Sequence, residues 1–351
     1  MEKTNPYLLQ FGQPPLEIIS RDEQQNEIIN SFHSSQKSQS IYMICGVRGS
    51  GKTVFMTTVA SKCDGKDWIV ININTASNTT ALEQMAIQLS QYSFLTKKVE
   101  VSKISFSAFG FGLQVDSNNT LYNAEQAVLT MLKEAQKHNK KVLITIDEVT
   151  NTKSIREFAG AFQLWMRQFL PVYLLMTGLY ENIKDLQNEK NLTFLYRAPR
   201  IELTPLGLLE ISRNYERNLN ISNEQAMEMA RATKGYSFAF QALGHEVWDE
   251  NGLTDKAKHR YKEDLFEYSY RKIWDDISSN DRKVCEAITN TKSTSVQEIR
   301  DVAGFDSNSF NQYRKRLIER GIVYSKEKGH IMFSLPLFKE FVNYIISEEE
   351  F

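Results

Sequence analysis

The chain has 351 residues, of which 41% are hydrophobic, so it can bury a sizeable core and divide into two or three domains. Its formal net charge of −1 excludes a global positive field that would hold the whole molecule on nucleic acid or an anionic membrane, and such binding would need a local basic patch. Because the three cysteines are widely spaced and no signal-peptide core or long apolar segment is evident, we expect a cytoplasmic protein with no disulfide framework and no membrane partner.

Five short apolar runs alternate with longer amphipathic stretches over the first two hundred residues. The runs are SIYMIC, WIVINI from Trp68 to Ile73, KVLITI ending at Ile146, PVYLLM ending at Met176 and RIEL ending at Leu203. Strands that are buried on both faces form such continuous apolar runs, and their alternation with helical stretches is typical of parallel strands joined by crossover helices. We therefore predict an α/β fold with a parallel sheet and helices on both of its faces.

A glycine-rich motif, GVRGSGKT, follows the first apolar run and precedes VFMTTVASK, which can form a helix. The motif fits G-x-x-x-x-G-K-[ST], in which glycines let backbone N–H groups turn toward phosphates and the next helix presents its positive N-terminus. Lys52 is predicted to neutralise phosphate oxygens, and Thr53 to hold Mg²⁺. The predicted nucleotide-binding residues are Gly46, Val47, Arg48, Gly49, Ser50, Gly51, Lys52, Thr53 and Val54.

Polar residues follow the third and fourth apolar runs. Asp147 and Glu148 end VLITIDE; the first carboxylate can hold a metal with its water shell, and the second can polarise an attacking water. The alternative is a pair of helix-start carboxylates favoured by the helix dipole. Thr177 ends LLMT and can position the same water, or it is a turn residue before Gly178. Beside the phosphate motif, the acidic pair favours hydrolysis over mere binding.

Two arginines, Arg197 and Arg200, precede the last apolar run in YRAPRIEL. An arginine fork can reach phosphate oxygens and cancel charge in a transition state. Either residue can equally be a surface ion-pair partner.

The sequence after Pro205 becomes helical. Ser222 and Gln225 form a predicted capping box at the start of ISNEQAMEMARAT, and KGYSFAFQALGHEVW follows it after a glycine break, which indicates a small helical domain. Upstream, KISFSAFGFGLQVD at residues 103–116 reads as an inserted β-hairpin. Its apolar side either packs on the main domain or docks against another subunit.

From about residue 279 the pattern predicts three helices and a hairpin, the layout of a winged helix-turn-helix. Ser295 and Glu298 form a predicted capping box, and Gly304 and Gly321 are predicted to end two helices. Residues 307–330 carry a net charge of +4, with two acidic residues, Glu319 and Glu327, and six cations: Arg314, Lys315, Arg316, Arg320, Lys326 and Lys328. This segment can bind DNA in a salt-dependent way, or its cations are simply solvated on a packing module.

Taken together, these motifs resemble those of AAA+ ATPases, and most closely the archaeal-type and bacterial ATPases related to the origin-recognition and replication-initiator clade. GVRGSGKT resembles the Walker A loop, LITIDE the Walker B strand, LLMTG the sensor 1 strand and YRAPRIELTPL the segment that often carries an arginine finger. FGQPPLEIISRDEQQNEIINSF, with Arg21 and Asp22, resembles the family's entry segment.

The resemblance implies a division into a P-loop ATPase domain at residues 1–205, a helical lid at 206–278 and a winged helix at 279–351. It implies that Ile18 and Ile19 flank the adenine of ATP, and that Arg197 completes the site of a neighbouring subunit in a homo-oligomer. The lid departs from the family pattern, because Ser237 and Phe238 stand where a sensor 2 arginine is often found, and the nearest cations are Lys234 and Arg231.

Two functions are compatible with these features. In the first, ATP binding and Mg²⁺-dependent hydrolysis control duplex-DNA binding through the winged helix, whose basic segment is the supporting feature. In the second, the nucleotide state controls contact with a protein partner and the winged helix is structural. The GYS sequence of the lid and the apolar SFSAFGFG segment support this second function.

Overall fold

The computed structural model describes residues 4–9, 15–34, 39–97 and 123–349. The chain divides into two compact units. The sheet unit comprises Arg21–Cys45 and Lys52–Glu202, and the helical unit comprises Met1–Ser20, Gly46–Gly51 and Leu203–Phe351. The boundary therefore passes through the glycine-rich motif, between Gly51 and Lys52.

The sheet unit contains a five-stranded parallel sheet with strand order β2-β3-β4-β1-β5. The strands are β1 (Ile41–Cys45), β2 (Trp68–Ile73), β3 (Lys141–Ile146), β4 (Val172–Gly178) and β5 (Arg200–Glu202). The predicted α/β class and all five predicted strands are confirmed, and β4 extends through Thr177 to Gly178. Central strands β1 and β4 are buried at every residue, because helices cover the faces of a parallel sheet.

Six helices and one 3₁₀ turn connect these strands within the described residues. They are α1 (Asp22–His33), α2 (Lys52–Cys63), α3 (Ala81–Ser90), α4 (Ala124–Lys137), α5 (Lys153–Arg167), α6 (Tyr180–Gln187) and the 3₁₀ turn Leu195–Arg197. Apolar residues of α3, α4 and α5 pack with the strands in one core that includes Met85, Met131 and Phe158. This packing fixes the carboxyl ends of β3 and β4, from which the polar residues project.

The longest segment of the helical unit starts at Leu203 and first forms five helices. They are α7 (Leu208–Asn218), α8 (Asn223–Ala232), α9 (Ser237–Asp249), α10 (Asp255–Leu265) and α11 (Arg271–Asp276). The predicted capping box of Ser222 and Gln225 starts α8. A π-helical segment, Phe266–Tyr270, joins α10 to α11. Such segments widen a helix locally and often occur at functional positions.

The remaining elements of the helical unit are α12 (Ser279–Asn290), α13 (Val296–Ala303), α14 (Ser307–Glu319), β6 (Val323–Tyr324), β7 (Met332–Phe333) and α15 (Phe338–Glu349). β6 and β7 pair antiparallel, so three helices are followed by a two-stranded hairpin, the predicted order. Gly304 and Gly321 both have positive φ, at 70° and 71°, and they end α13 and α14 as predicted.

The predicted capping box at Ser295 is wrong. Ser295 precedes α13, but its side chain caps no backbone N–H group. Instead, Ser295 forms an isolated antiparallel bridge with His330, and the N–H of Val296 donates to the carbonyl of Gly329 at 2.8 Å. The loop between β6 and β7 therefore caps the first N–H group of α13, whereas a capping box would have paired the Ser295 hydroxyl with the N–H of Glu298.

Across the described part of the chain, none of the helices has both the length and the apolar character needed to span a bilayer. The predicted β-hairpin at residues 103–116 lies outside the described residues. The three-domain boundaries derived from the sequence remain a prediction.

Candidate functional site

Three polar side chains of the sheet unit meet where β3 and β4 end. Thr53, in the first turn of α2, donates a hydrogen bond from Oγ1 to Asp147 Oδ2 at 2.7 Å. Thr177 donates from its Oγ1 to the other carboxylate oxygen, Oδ1 of Asp147. Each oxygen of this carboxylate therefore has a hydroxyl partner, and the structure brings Thr53, Asp147 and Thr177 together at the strand ends.

Glu148 follows Asp147 in an uncommon backbone conformation. Its φ is 49°, in the left-handed region that non-glycine residues seldom occupy. Two hydrogen bonds stabilise this conformation, because the N–H of Glu148 lies 3.1 Å from both Thr177 Oγ1 and Asp147 Oδ1. The side chain of Glu148 is exposed. Backbone conformations of this kind concentrate at functional sites, and here the residue that adopts one carries an exposed carboxylate at the strand end.

Lys52 and Thr53, the last two residues of the motif, are the first two residues of α2. Lys52 is the first residue of the helix and is only 8% exposed, whereas Thr53 is exposed. Val54 is half-buried behind them. The charge of Lys52 and its place at the start of a helix after a glycine-rich turn are features of a residue that contacts phosphate oxygens.

The glycine-rich segment Gly46–Gly51 lies in the helical unit. Gly49 and Gly51 have φ values of 77° and 88°, so the backbone alternates between left-handed and right-handed conformations, the geometry that makes anion-binding concavities. A side chain at Gly46 would place its Cβ 2.5 Å from Ser50 Oγ. That hydroxyl is buried and has no hydrogen-bond partner among the described residues.

The side chain of Arg48 faces the helices of its own unit. Its Nη2 lies 3.6 Å from the carboxylate of Asp276 in α11. Val47 likewise packs against the helical core. In this structure the contribution of Arg48 to a phosphate site is therefore confined to its backbone.

Three carbonyl groups of the glycine-rich segment accept hydrogen bonds from the start of α9. Tyr236 Oη donates to the carbonyl of Arg48 at 2.7 Å, the N–H of Phe238 to Gly49 at 3.0 Å, and Ser237 Oγ to Ser50 at 2.9 Å. From the sequence, Ser237 and Phe238 were noted as the place of a missing arginine, and GYS as support for a switch that acts on a protein partner. The residues that contact the segment were missed because they lie far from it in sequence.

The nearest lid cations do not replace that arginine. Lys234 Nζ donates to the carbonyls of Phe333 and Leu335, at 3.2 and 3.3 Å, and burial lowers the pKa of Lys234. Arg231 is exposed in the last turn of α8. The structure therefore assigns Lys234 to the connection between α8 and the β7 region.

The other predicted site residues are two isoleucines of the helical unit and two arginines of the sheet unit. Ile18 is 41% exposed, and Ile19 packs against the core of the helical unit. In the sheet unit, Arg197 is exposed at the end of the 3₁₀ turn, whereas the Arg200 guanidinium lies 5.4 Å from the centre of the Tyr180 ring. Arg200 is thus engaged within its own unit, and Arg197 remains the predicted finger.

The basic segment of α14 is less available than its sequence predicts. Arg316 makes hydrogen bonds of 2.7 to 3.0 Å with both carboxylate oxygens of Asp281, a residue with 0% exposure. Arg320 donates to the carbonyl of Asp276 at 2.7 Å. The Arg316 guanidinium is therefore engaged with a buried carboxylate of its own unit, and its use as a DNA contact stays a prediction. The exposed polar residues of α14 are Ser307, Asn308, Asn311, Gln312 and Lys315.

Comparison with known structures places this architecture in a known fold group. The Walker-type ATPase PABY2304 of Pyrococcus abyssi is 14% identical, with a TM-score of 0.65 over 93% of this chain and 96% of the other. The Aeropyrum pernix ORC2 protein in its ADPNP–ADP complexes is 13% identical, with a TM-score of 0.59 over 97% of both chains. Its ADP form gives 0.51, at 13% identity and the same coverage. The chain has the fold that PABY2304 and the ORC2 protein share.

Sequence comparison adds one match. Residues 267–342 match a family described as Domain of unknown function (DUF8462), which covers the π-helical segment through the first part of α15. A comparison with curated proteins gives no significant match.

The donor set fits a magnesium ion bound together with a nucleotide. Magnesium prefers oxygen ligands and is usually held by one or two protein groups, with phosphate and water oxygens completing its shell. Thr53 Oγ1 and the Asp147 carboxylate are adjacent oxygen donors of this kind. Within the described residues, no group of three or more His, Cys, Asp or Glu side chains could hold a metal ion without such help.

Proposed function

We propose that the protein binds ATP with Mg²⁺, hydrolyses it, and couples its nucleotide state to duplex-DNA binding by α12–α14 and the β6–β7 hairpin. The observation that supports nucleotide and Mg²⁺ binding is the Asp147 carboxylate. It accepts one hydrogen bond from the hydroxyl of Thr53 in the phosphate motif and one from the hydroxyl of Thr177 in the neighbouring strand. Aeropyrum pernix ORC2, a similar structure, was solved with ADPNP and ADP, which supports a nucleotide as the ligand here.

Each residue of the strand ends has a distinct part in the proposed reaction. Lys52 would neutralise the β- and γ-phosphate oxygens, and Thr53 with Asp147 would hold the metal ion. Bound Mg²⁺ would stabilise the charge that develops on the phosphate oxygens. Glu148 orients the attacking water and accepts its proton. Thr177 fixes the Asp147 carboxylate and the backbone of Glu148. The segment Gly46–Val54 surrounds the phosphates, and Ile18 and Ile19 flank the adenine.

Replacement of Lys52 tests nucleotide binding. We expect Lys52→Ala to weaken Mg-ATP binding by on the order of 100-fold, because a charge-assisted contact to phosphate is lost in a buried position. Titration of a fluorescent ATP analogue measures the affinity. Lys62→Ala is the matched control, since Lys62 lies in the last turn of the same helix and pairs with Asp22 at 3.5 Å. Equal affinity of Lys52→Ala and wild-type protein would refute the proposed site.

The second part of the proposal rests on one exposed face of α14. Asn308, Asn311, Gln312 and Lys315 are all exposed and are spaced at i, i+3, i+4 and i+7, so they share a helix face. Asn and Gln side chains can form paired hydrogen bonds with adenine edges in the major groove, and lysine contacts phosphates. Lys326 and Lys328 are also exposed, in the loop between β6 and β7.

Single substitutions on this face test DNA binding. We expect Lys315→Ala to weaken binding to duplex DNA and to reduce the salt dependence of the affinity by about one unit of slope, because one phosphate contact is lost. Fluorescence anisotropy over a series of salt concentrations gives both quantities. Lys339→Ala, an exposed lysine on α15, is the control. If the wild-type protein fails to bind duplex DNA at low salt, the second function from the sequence, a switch acting on a protein partner, is favoured.

A further inference from the structure

The start of α9 is capped by the glycine-rich segment and by no side chain of its own. Tyr236 occupies the N-cap position and makes no side-chain cap, although the first four N–H groups of a helix lack intrahelical acceptors. The N–H of Phe238 instead donates to the carbonyl of Gly49 at 3.0 Å. The segment therefore completes the helix, and the helix in turn restrains the segment.

Two side chains at the start of α9 contact the residues on either side of Gly49. Tyr236 Oη donates to the carbonyl of Arg48 at 2.7 Å, and Ser237 Oγ donates to the carbonyl of Ser50 at 2.9 Å. Burial raises the pKa of Tyr236, so its hydroxyl stays protonated and remains a donor. Three successive carbonyl groups are thus held on one side of the segment.

Tyr236 is itself held from behind. Its oxygen lies 2.6 Å from Ser269 Oγ, and because the Tyr236 proton is directed to Arg48, the Ser269 hydroxyl is the donor in that pair. Ser269 lies in the π-helical segment and is 2% exposed. The Asp276 carboxylate of α11 lies 3.6 Å from the Arg48 guanidinium, so the same residue of the glycine-rich segment is contacted at its backbone and at its side chain.

The close approach depends on glycine at position 49. A Cβ atom there would lie 2.2 Å from Tyr236 Oη and 2.8 Å from its Cζ, and the φ of 77° is unfavourable for any side chain. The glycine thus has a role beyond its place in the motif, since it admits the tyrosine hydroxyl to the backbone.

We propose that Tyr236, with Ser237, is a positioning residue for the phosphate-binding segment and replaces the missing lid arginine by holding that segment from its outer side. The inference rests on the proposed nucleotide site. The carbonyl groups of Arg48, Gly49 and Ser50 are held by α9, which fixes the orientation of the peptide groups whose N–H atoms face the opposite way. Because the segment is already ordered, phosphate binding costs less conformational entropy, and the affinity for Mg-ATP is higher.

Tyr236→Phe tests this role, with Tyr215→Phe as the matched control. Tyr215 is a fully buried tyrosine of the same unit whose hydroxyl donates to the carbonyl of Phe240 at 2.7 Å. Both variants lose one buried hydroxyl–carbonyl bond, so both are expected to lower the apo unfolding temperature. Only Tyr236→Phe is expected to weaken Mg-ATP binding, by about tenfold, in titrations of a fluorescent ATP analogue.

Ser237→Ala provides a second test that does not require loss of a buried tyrosine hydroxyl. Ser237 is half-buried, and we expect its alanine variant to bind Mg-ATP about threefold more weakly. If wild-type protein binds the analogue and both Tyr236→Phe and Ser237→Ala bind it with wild-type affinity, the positioning role is refuted and the nucleotide site stands. If wild-type protein itself does not bind, the proposed function fails together with the inference. If Tyr215→Phe weakens Mg-ATP binding as much as Tyr236→Phe does, the cause is general destabilisation, and the positioning role is also refuted.

Discussion

Glu148→Gln protein is expected to bind Mg-ATP with nearly wild-type affinity and to hydrolyse it at least about 100-fold more slowly, since general-base catalysis contributes factors of this size. The glutamine keeps the size of the side chain but cannot accept a proton from water. The binding residues of the proposed site are left unchanged by this substitution. Affinity from titration and steady-state phosphate release together separate binding from turnover.

The backbone at Glu148 gives this expectation its structural basis. The φ of 49° and the two N–H contacts with Thr177 and Asp147 do not involve the Glu148 side chain, so the substitution should leave the local fold intact. Glu157→Gln on α5 is a suitable control, because Glu157 is an exposed carboxylate 3.7 Å from Lys153. A Glu148→Gln protein that keeps its wild-type rate would place the base elsewhere in the molecule.

Arg316→Ala is expected to lower the free energy of unfolding by roughly 3 kcal/mol, the cost of leaving a buried charge without its partner. The Asp281 carboxylate is 0% exposed and receives three hydrogen bonds from Arg316. Asp281 also completes the capping box of α12 with Ser278, so its desolvation cannot be relieved by moving the side chain into solvent. Chemical denaturation monitored by circular dichroism measures the change.

Lys315→Ala is the neighbouring control for stability. Lys315 is 73% exposed and lies 3.9 Å from Glu319, so its removal should change the unfolding free energy by less than about 0.5 kcal/mol. The pair of variants separates two roles that the sequence joined in one basic patch. If Arg316→Ala is as stable as Lys315→Ala, the buried ion pair does not contribute to the fold as described.

The sheet and the strand-end site could be predicted because local patterns determine them. Continuous apolar runs identified all five strands, and the pairing of β3 with β4 brings Asp147 next to Thr177. Glycine-rich turns with a following helix likewise fix Lys52 and Thr53 at a helix start. In these cases the residues that act together lie at the ends of adjacent elements.

The contacts that could not be predicted join residues from distant parts of the sequence. Counting charges in α14 gave a basic patch, but Arg316 has a buried partner in α12 that a local count does not reveal. Ser295 had the right spacing for a capping box, yet pairing with His330 supplied a different arrangement. Tyr236 stood beside a missing arginine, and only the fold showed its hydroxyl at the carbonyl of Arg48.

The proposed ATP hydrolysis is best tested by steady-state phosphate release. We would measure it on purified wild-type protein with Mg-ATP, with and without duplex DNA. Glu148→Gln protein prepared in parallel sets the background from contaminating ATPases. We predict Mg²⁺-dependent phosphate release well above that background, and a further rise with DNA that disappears at high salt. Wild-type release no faster than that of Glu148→Gln would contradict the proposed hydrolysis.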